Sequence, residues 1–146
     1  MYSLNKFSIR LLHPRYILTW IGILLLFCLV QMPYPWLVFL GDKLGRFSGL
    51  FLKRRVSIIK KNLELCFPDR NKIQIESMVA SNLSSLGIAL FETGIAWFWN
   101  DKKINEIFRV TGCDNFNDVY DKNNGVLIIG IHSMSLELGG RVMGLC

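Results

Sequence analysis

The amino-acid sequence predicts an α/β fold, in which an N-terminal membrane helix precedes further helices and the start of a mixed sheet that is incomplete in this chain. Three observations support this prediction. Residues 16–41 carry no charge, apolar residues then recur every three or four positions, and a six-residue apolar run, VLIIGI, occupies residues 126–131. These patterns are typical of a membrane segment, of amphipathic helices and of a buried strand, respectively.

The first element is the uncharged segment. It contains YILTWIGILLLFCLV, residues 16–30, in a chain that is 51% hydrophobic. We therefore expect a membrane anchor with a basic flank over residues 1–35 and a second domain over residues 36–146. A cleaved signal peptide is the alternative, but QMPYPW lacks the small residues that signal peptidase requires. A full span and a helix lying in one leaflet both remain open.

Basic residues are concentrated beside this segment. Residues 1–61 hold ten Lys and Arg side chains and one Asp, whereas residues 62–146 are net acidic. The run KRRVSIIKK therefore predicts a surface for anionic lipid or an acidic partner, with a solvated helix face as the alternative. Nucleic acid is not expected as a partner, because no zinc-finger or RNP-type motif accompanies the charge. The cations of this run are Lys53, Arg54, Arg55, Lys60 and Lys61.

Helical spacing predicts the next two elements. Residues 35–67 read as one amphipathic helix along the membrane surface. Asp69 or Asn71 is expected to cap a second helix over residues 72–90. Apolar stripes of this kind usually face a core. The aromatic run WFW at residues 97–99 is also more typical of packing, with a binding platform as the alternative.

The last elements are shorter. We expect a strand near residues 108–111, a helix near residues 115–120 and a buried strand over VLIIGI. A helix over SLELGGRVMG, residues 135–144, then follows the strand. Catalytic residues of open α/β sheets lie at the carboxyl ends of strands. We therefore expect the functional residues directly after VLIIGI.

His132 and Glu137 lie at that point. In one continuous helix, side chains five positions apart diverge by about 140°, so the two could not meet. With His132 in the loop and Glu137 in the first helical turn, the carboxylate can accept the imidazole Nδ1 proton, and Nε2 is free to act as a base. A structural histidine is the alternative. The cysteines and histidines form no metal-ligand cluster, so we expect no metal site.

The same residues carry a resemblance. HSMSLE matches the H-x-x-x-x-[DE] motif of glycerophosphate-type acyltransferases, and the chain resembles the late acyltransferases of lipid A biosynthesis over nearly its whole length. The remaining matching motifs, in family order, are LLHPRYILTW, QMPYPW, FLKRR, NLELCFP, ETGIAWFW and HSMSLELGGRVMGLC.

The resemblance implies a glycerophosphate-acyltransferase-like fold and an enzyme of the bacterial inner membrane with its active site on the cytoplasmic side. Such enzymes transfer a palmitoleoyl or lauroyl group from acyl carrier protein to a hydroxyacyl chain of the Kdo-bearing, tetra-acylated lipid A precursor. No cofactor is implied, because the thioester is already activated.

The resemblance also implies roles. His132 would be the general base and Glu137 its orienting carboxylate, while Arg141 is a candidate contact to an anionic group of the substrate or a helix residue facing solvent. The KRRVSIIKK cations would contact acyl carrier protein or anionic lipid. Members of the family continue through a second half, so the alternative function is a catalytically inactive, membrane-anchored fragment.

Overall fold

The computed structural model describes residues 13–120, 127 and 129–145, and every regular element in this part of the chain is helical. A 3₁₀ turn at Pro14–Tyr16 leads into the first α-helix. The α-helices are α1 (Ile17–Leu29), α2 (Tyr34–Ser48), α3 (Lys53–Cys66), α4 (Lys72–Phe98), α5 (Asp101–Ile107), α6 (Cys113–Tyr120) and α7 (Leu136–Met143).

The longest helix, α4, begins with a capping box at Asn71. The Asn71 side chain accepts a hydrogen bond from the Gln74 amide at 2.9 Å, and the Gln74 side chain accepts one from the Asn71 amide at 3.0 Å. This reciprocal pair satisfies donors that a helix start otherwise leaves free. The prediction of Asn71 as the cap is confirmed, whereas the helix continues past its predicted end near Leu90 to Phe98.

Helix α2 packs on α4 with almost no side-chain layer between the two backbones. Gly41 and Gly45 of α2 lie against α4, and Gly87 of α4 lies against both of them. A β-carbon on any of the three would collide with the opposing backbone; on Gly41 it would lie 2.7 Å from the Ile88 Cα. Glycine at these positions therefore sets the distance between the two helices.

A polar contact crosses the same interface. The Asp42 carboxylate accepts hydrogen bonds from the Ser84 hydroxyl of α4 at 2.7 Å and from Arg46 of its own helix at 2.6 Å. These hydrogen bonds, with the one from Ser84 contributing most, lower the pKa of Asp42 below its ordinary value of 3.8. The charged form of Asp42 is thus the form that holds α2 to α4.

The buried apolar side chains form two clusters along α4. The smaller contains Ile75, Val79 and Leu83, on which α3 packs. The larger lies at the other end of the helix and comprises Val30, Leu37, Phe91, Ile95, Ala96, Trp99, Ile104 and Leu138. Of the WFW run, Trp99 is buried and donates from its indole Nε1 to the Val30 carbonyl at 2.6 Å, whereas Trp97 is 58% exposed.

The single helix predicted over residues 35–67 is wrong, because α2 ends at Ser48 and α3 begins at Lys53. Packing explains the break. The turn at residues 49–52 brings Val56, Ile59 and Leu63 of α3 against the first turns of α4, which a straight continuation of α2 would leave uncovered. Local spacing predicts helicity but does not record where a helix must turn back to bury its apolar face.

Helix α1 is the core of the predicted anchor. Its 13 residues rise about 20 Å, less than the roughly 30 Å of a hydrocarbon core. Its apolar side chains are nevertheless widely exposed, including Leu18 at 82% and Leu24 at 61%. In the described residues only α4 is long and apolar enough to cross a membrane, and half of its apolar window is buried inside the protein.

The predicted α/β fold class is wrong for the part of the chain that the structure describes, which contains no strand. Residues 108–111 have no regular structure, and in the VLIIGI run residues 126 and 128 lie outside the described residues. Leu127, Ile129 and Ile131 are 86%, 88% and 88% exposed. A strand exists only through hydrogen bonds to a neighbouring strand. The described residues of this run have no such partner, so its apolar composition alone does not make it a strand.

Candidate active site

The two residues predicted to act in catalysis lie in the loop before α7 and in the first turn of α7. Residues 129–133 have no regular structure, Met134 and Ser135 form a turn, and α7 starts at Leu136. His132 thus lies in the loop and Glu137 in the first helical turn, and both are exposed. Among the described residues no hydrogen bond or ion pair joins His132 to Glu137, so their catalytic pairing stays a prediction.

A second acidic residue, which is not among the predicted site residues, lies beside the start of α7. Glu92 of α4 is only 8% exposed, and it is the buried charged residue of the described part of the chain. Its Oε1 accepts a hydrogen bond from the Tyr34 hydroxyl at 3.0 Å, and its Oε2 accepts one from the Ser135 hydroxyl. The available signal was one carboxylate inside the apolar stretch ALFETGIAWF. A charge in such a position is rarely buried without partners.

Tyr34, at the start of α2, is held as a hydrogen-bond donor. Burial, followed by the charge of Glu92 and the hydrogen bond to it, raises the pKa of Tyr34 to about 12. Its ring also packs edge-on against Phe108, with 5.4 Å between ring centroids. Helices α2, α4 and α7 therefore meet at one carboxylate.

Arg141, the predicted anion contact, is paired with an acidic residue. Its guanidinium donates to the Asp101 carboxylate at the first residue of α5. An open depression of about 330 Å³ adjoins this pair and is lined by Ala96, Trp97, Leu136, Glu137, Gly140 and Arg141. An anion in the depression would therefore compete with Asp101 for Arg141.

An apolar groove of about 450 Å³ shares Trp97 with the depression. It lies between α1 and α4 and extends from Leu29 back to Thr19 on α1, a distance of about 15 Å along the helix axis. Gly22 lines the groove, and a β-carbon there would meet no atom within 4 Å. Apolar walls beside a few polar groups are typical of a ligand-binding cleft.

The five predicted cations lie on α3, at the other end of α4 from the His132 loop. Four are exposed, and the partly buried Lys60 lies 3.8 Å from the Glu76 carboxylate. The structure thus does not bring this basic surface together with His132 and Glu137. Within the described ranges no group of three or more His, Cys, Asp or Glu side chains is placed to bind a metal ion.

Comparison of the sequence with known proteins places this chain in a family. Residues 4–146 match the model of the bacterial lipid A biosynthesis acyltransferases. The chain is 54% identical over 146 residues to the lipid A biosynthesis palmitoleoyltransferase of Escherichia coli (strain K12), covering 100% of this chain and 48% of that protein. It is 47% identical over 145 residues to the lauroyltransferase of the same organism, covering 99% and 47% of the two chains.

A more distant relative, the lipid A biosynthesis myristoyltransferase of Escherichia coli (strain K12), is 25% identical over 133 residues, which are 90% of this chain and 41% of that protein. The chain thus spans about half the length of the curated relatives it matches. No solved structure matches it. From the family match over residues 4–146 and the identity to the two acyltransferases, the chain belongs to the bacterial lipid A biosynthesis acyltransferase family.

Proposed function

We propose that this chain carries the catalytic motif of an enzyme that transfers a palmitoleoyl or lauroyl group from acyl carrier protein to a lipid A precursor. The acceptor is a hydroxyacyl chain of the Kdo-bearing, tetra-acylated precursor. One observation carries the proposal: in a chain of the lipid A acyltransferase family, His132 precedes α7 and Glu137 lies in its first turn. This order supplies a base, an orienting carboxylate and a helix N-terminus at one place.

The chemistry follows from those groups. His132 Nε2 removes the proton from the acceptor hydroxyl as its oxygen attacks the thioester carbon, and Glu137 accepts the Nδ1 hydrogen bond. The Ser135 hydroxyl does not cap α7, so amides of the first turn can stabilise the tetrahedral oxyanion. The carbon–sulfur bond then breaks, the imidazolium returns its proton to the thiolate, and an ester and free thiol remain.

The apolar groove beside Trp97 suits the acyl chain of the donor. It adjoins the depression that Glu137 lines, and its length of about 15 Å fits a medium or long hydrocarbon chain. Gly22 lines the groove and a β-carbon there meets no atom within 4 Å, so Gly22→Phe is chosen to fill the groove from α1. We expect the variant to lose transfer of palmitoleate more than transfer of laurate, with Gly139→Ala as a control because it also adds a side chain in open space. Equal loss of both donors would contradict this placement of the acyl chain.

The membrane-facing parts support a location at the bacterial inner membrane, with the active site on the cytoplasmic side. Exposed apolar side chains continue from α1 to the turn between α2 and α3, where Leu50 and Phe51 are 64% and 73% exposed. The exposed cations of α3 follow this turn directly, which suits contact with anionic headgroups or with an acidic acyl carrier protein. We propose that residues 1–35 anchor the protein and that residues 36–146 belong to the acyltransferase domain.

The test is an acyl-transfer assay on membranes that contain the complete natural polypeptide, with acyl carrier protein loaded with palmitoleate or laurate. His132→Ala should reduce transfer at least about a hundredfold, as expected for loss of a general base. His13→Ala is the matched control, since His13 is the other histidine of the sequence and precedes the 3₁₀ turn at Pro14–Tyr16 as its N-cap. An unchanged rate in His132→Ala would show that the assigned base is wrong.

A further inference from the structure

The contact between Glu92 and Ser135 joins the core to the start of α7. Ser135 occupies the N-cap position, where serine usually accepts a hydrogen bond from an amide of the first helical turn. Here its side chain makes no such bond and donates to Glu92 instead. The hydroxyl is thus used to fix the helix start to another element.

Glu92 is itself held firmly. It belongs to the stretch of α4 that carries the larger apolar cluster, close to Phe91 and Ile95, and its second oxygen accepts the Tyr34 hydroxyl. A buried carboxylate needs hydrogen bonds to both oxygens to offset its lost hydration, and in the described residues Tyr34 and Ser135 provide them. Any displacement of Ser135 would leave one oxygen without its donor.

Apolar contacts also hold α7. Leu138 is its buried residue, Val142 packs partly buried against the same cluster, and the Arg141–Asp101 ion pair lies one turn after Leu138. Ser135 lies between His132 and Glu137 in sequence. The position of Ser135 therefore affects both the backbone course after His132 and the direction of the Glu137 side chain.

We propose that Glu92 is a positioning residue, which fixes the start of α7 through Ser135 so that Glu137 faces His132. This inference rests on the proposed function. Glu92 touches neither substrate nor reacting atoms in this scheme. Its contribution is to keep the carboxylate of Glu137 within reach of the imidazole, where a displacement of about 1 Å is enough to cost up to a hundredfold in rate.

The experiment measures acyl transfer by the complete natural polypeptide in membranes, with Ser135→Ala as the main variant. We expect kcat to fall roughly tenfold to a hundredfold with KM little changed, because alignment is lost and substrate contacts are kept. Ser135→Thr, which retains the hydroxyl, should restore most of the rate. Ser133→Ala is the matched control in the same loop, because the Ser133 side chain is exposed, and it should act like the unsubstituted protein.

A double-mutant cycle tests whether Glu92 acts through Glu137. In a Glu137→Gln background, Ser135→Ala should cost less than about twofold, because the group that it positions is already lost. Glu92→Gln should reduce kcat as Ser135→Ala does, and the two together should cost no more than either alone. A contact that serves only stability would instead give the full loss of Ser135→Ala again in the Glu137→Gln background.

The outcomes are distinct. An unchanged kcat in both Ser135→Ala and Glu92→Gln, or an equal loss in Ser133→Ala, would overturn the positioning role while leaving His132 as the base. If Ser135→Ala does not fold, Glu92→Gln and the Ser135→Thr rescue decide alone. No transfer by the unsubstituted polypeptide, beside an active palmitoleoyltransferase in the same membranes, would contradict the proposed function and this inference with it.

Discussion

The α2–α4 interface and the start of α7 are built in opposite ways. Helices α2 and α4 meet through backbone, at Gly41, Gly45 and Gly87, so their spacing cannot change without removing the contact. Helix α7 meets the core through the buried Leu138, the partly buried Val142 and the polar contacts of Ser135 and Arg141. The scaffold is thus fixed by shape, whereas the candidate active site is fixed by hydrogen bonds. Polar contacts can set an orientation precisely without burying much surface.

The largest expected effect tests the first half of this comparison. Gly87→Ala places a β-carbon against the Gly45 backbone, where no flexible side chain can move aside. We expect a loss of about 3 kcal/mol or more in the free energy of unfolding, at the upper end of overpacking effects. Thermal unfolding in detergent measures it. Gly139→Ala on α7 is the control, since it meets open space and should raise helix stability by up to about 1 kcal/mol. Equal melting temperatures would disprove backbone-to-backbone packing.

The second prediction tests whether α7 is a separate unit. Leu138→Ala removes the buried side chain of this helix, and buried leucines usually cost about 2–5 kcal/mol when truncated. We expect faster amide hydrogen exchange in α7 with little change in α2 and α4, because the glycine contact between α2 and α4 is made without α7. Val142→Ala, at a partly buried position of the same helix, should give a smaller effect. Global unfolding in Leu138→Ala would show that the two regions are one cooperative unit.

The smallest expected effect concerns the polar contact within the scaffold. The pKa of Asp42 is lowered in the folded protein, so its stabilising contribution is present above the ordinary carboxyl value of 3.8 and is lost as the pH falls through the folded value. Ser84→Ala removes the largest cause of this shift. The melting temperature of Ser84→Ala should therefore lie below that of the unsubstituted protein at pH 7, and the gap should close as the pH falls below about 4. A gap independent of pH would contradict this.

The helical part of the molecule was largely predictable, since local signals determine it. The apolar stripe of α4 and its cap at Asn71 are properties of adjacent residues, as is the order of a loop histidine and a glutamate in the first turn of α7. The break between α2 and α3 was not predictable in this way. It depends on where α4 lies, which is a property of the tertiary fold.

The two larger misses share a physical cause. VLIIGI has the composition of a buried strand, but composition does not supply the neighbouring strand that a sheet requires. Glu92 was passed over because sequence spacing says nothing about residues 43 positions apart, such as Ser135, which the fold brings within hydrogen-bonding distance. In both cases the sequence pattern does not identify the contacting segment or residue, because it lies far away in the chain.

The three glycines of the α2–α4 contact also limit how this protein can vary. A missense change in a glycine codon always adds a side chain, so the genetic code offers no conservative step at positions 41, 45 and 87, where the opposing backbone leaves no room for one. Inherited substitutions should therefore be rare at these three positions. They should be more common at Gly139, where an added β-carbon meets nothing within 4 Å. In a population survey of natural alleles, the contact between α2 and α4 would then appear as three glycine positions without amino-acid substitutions.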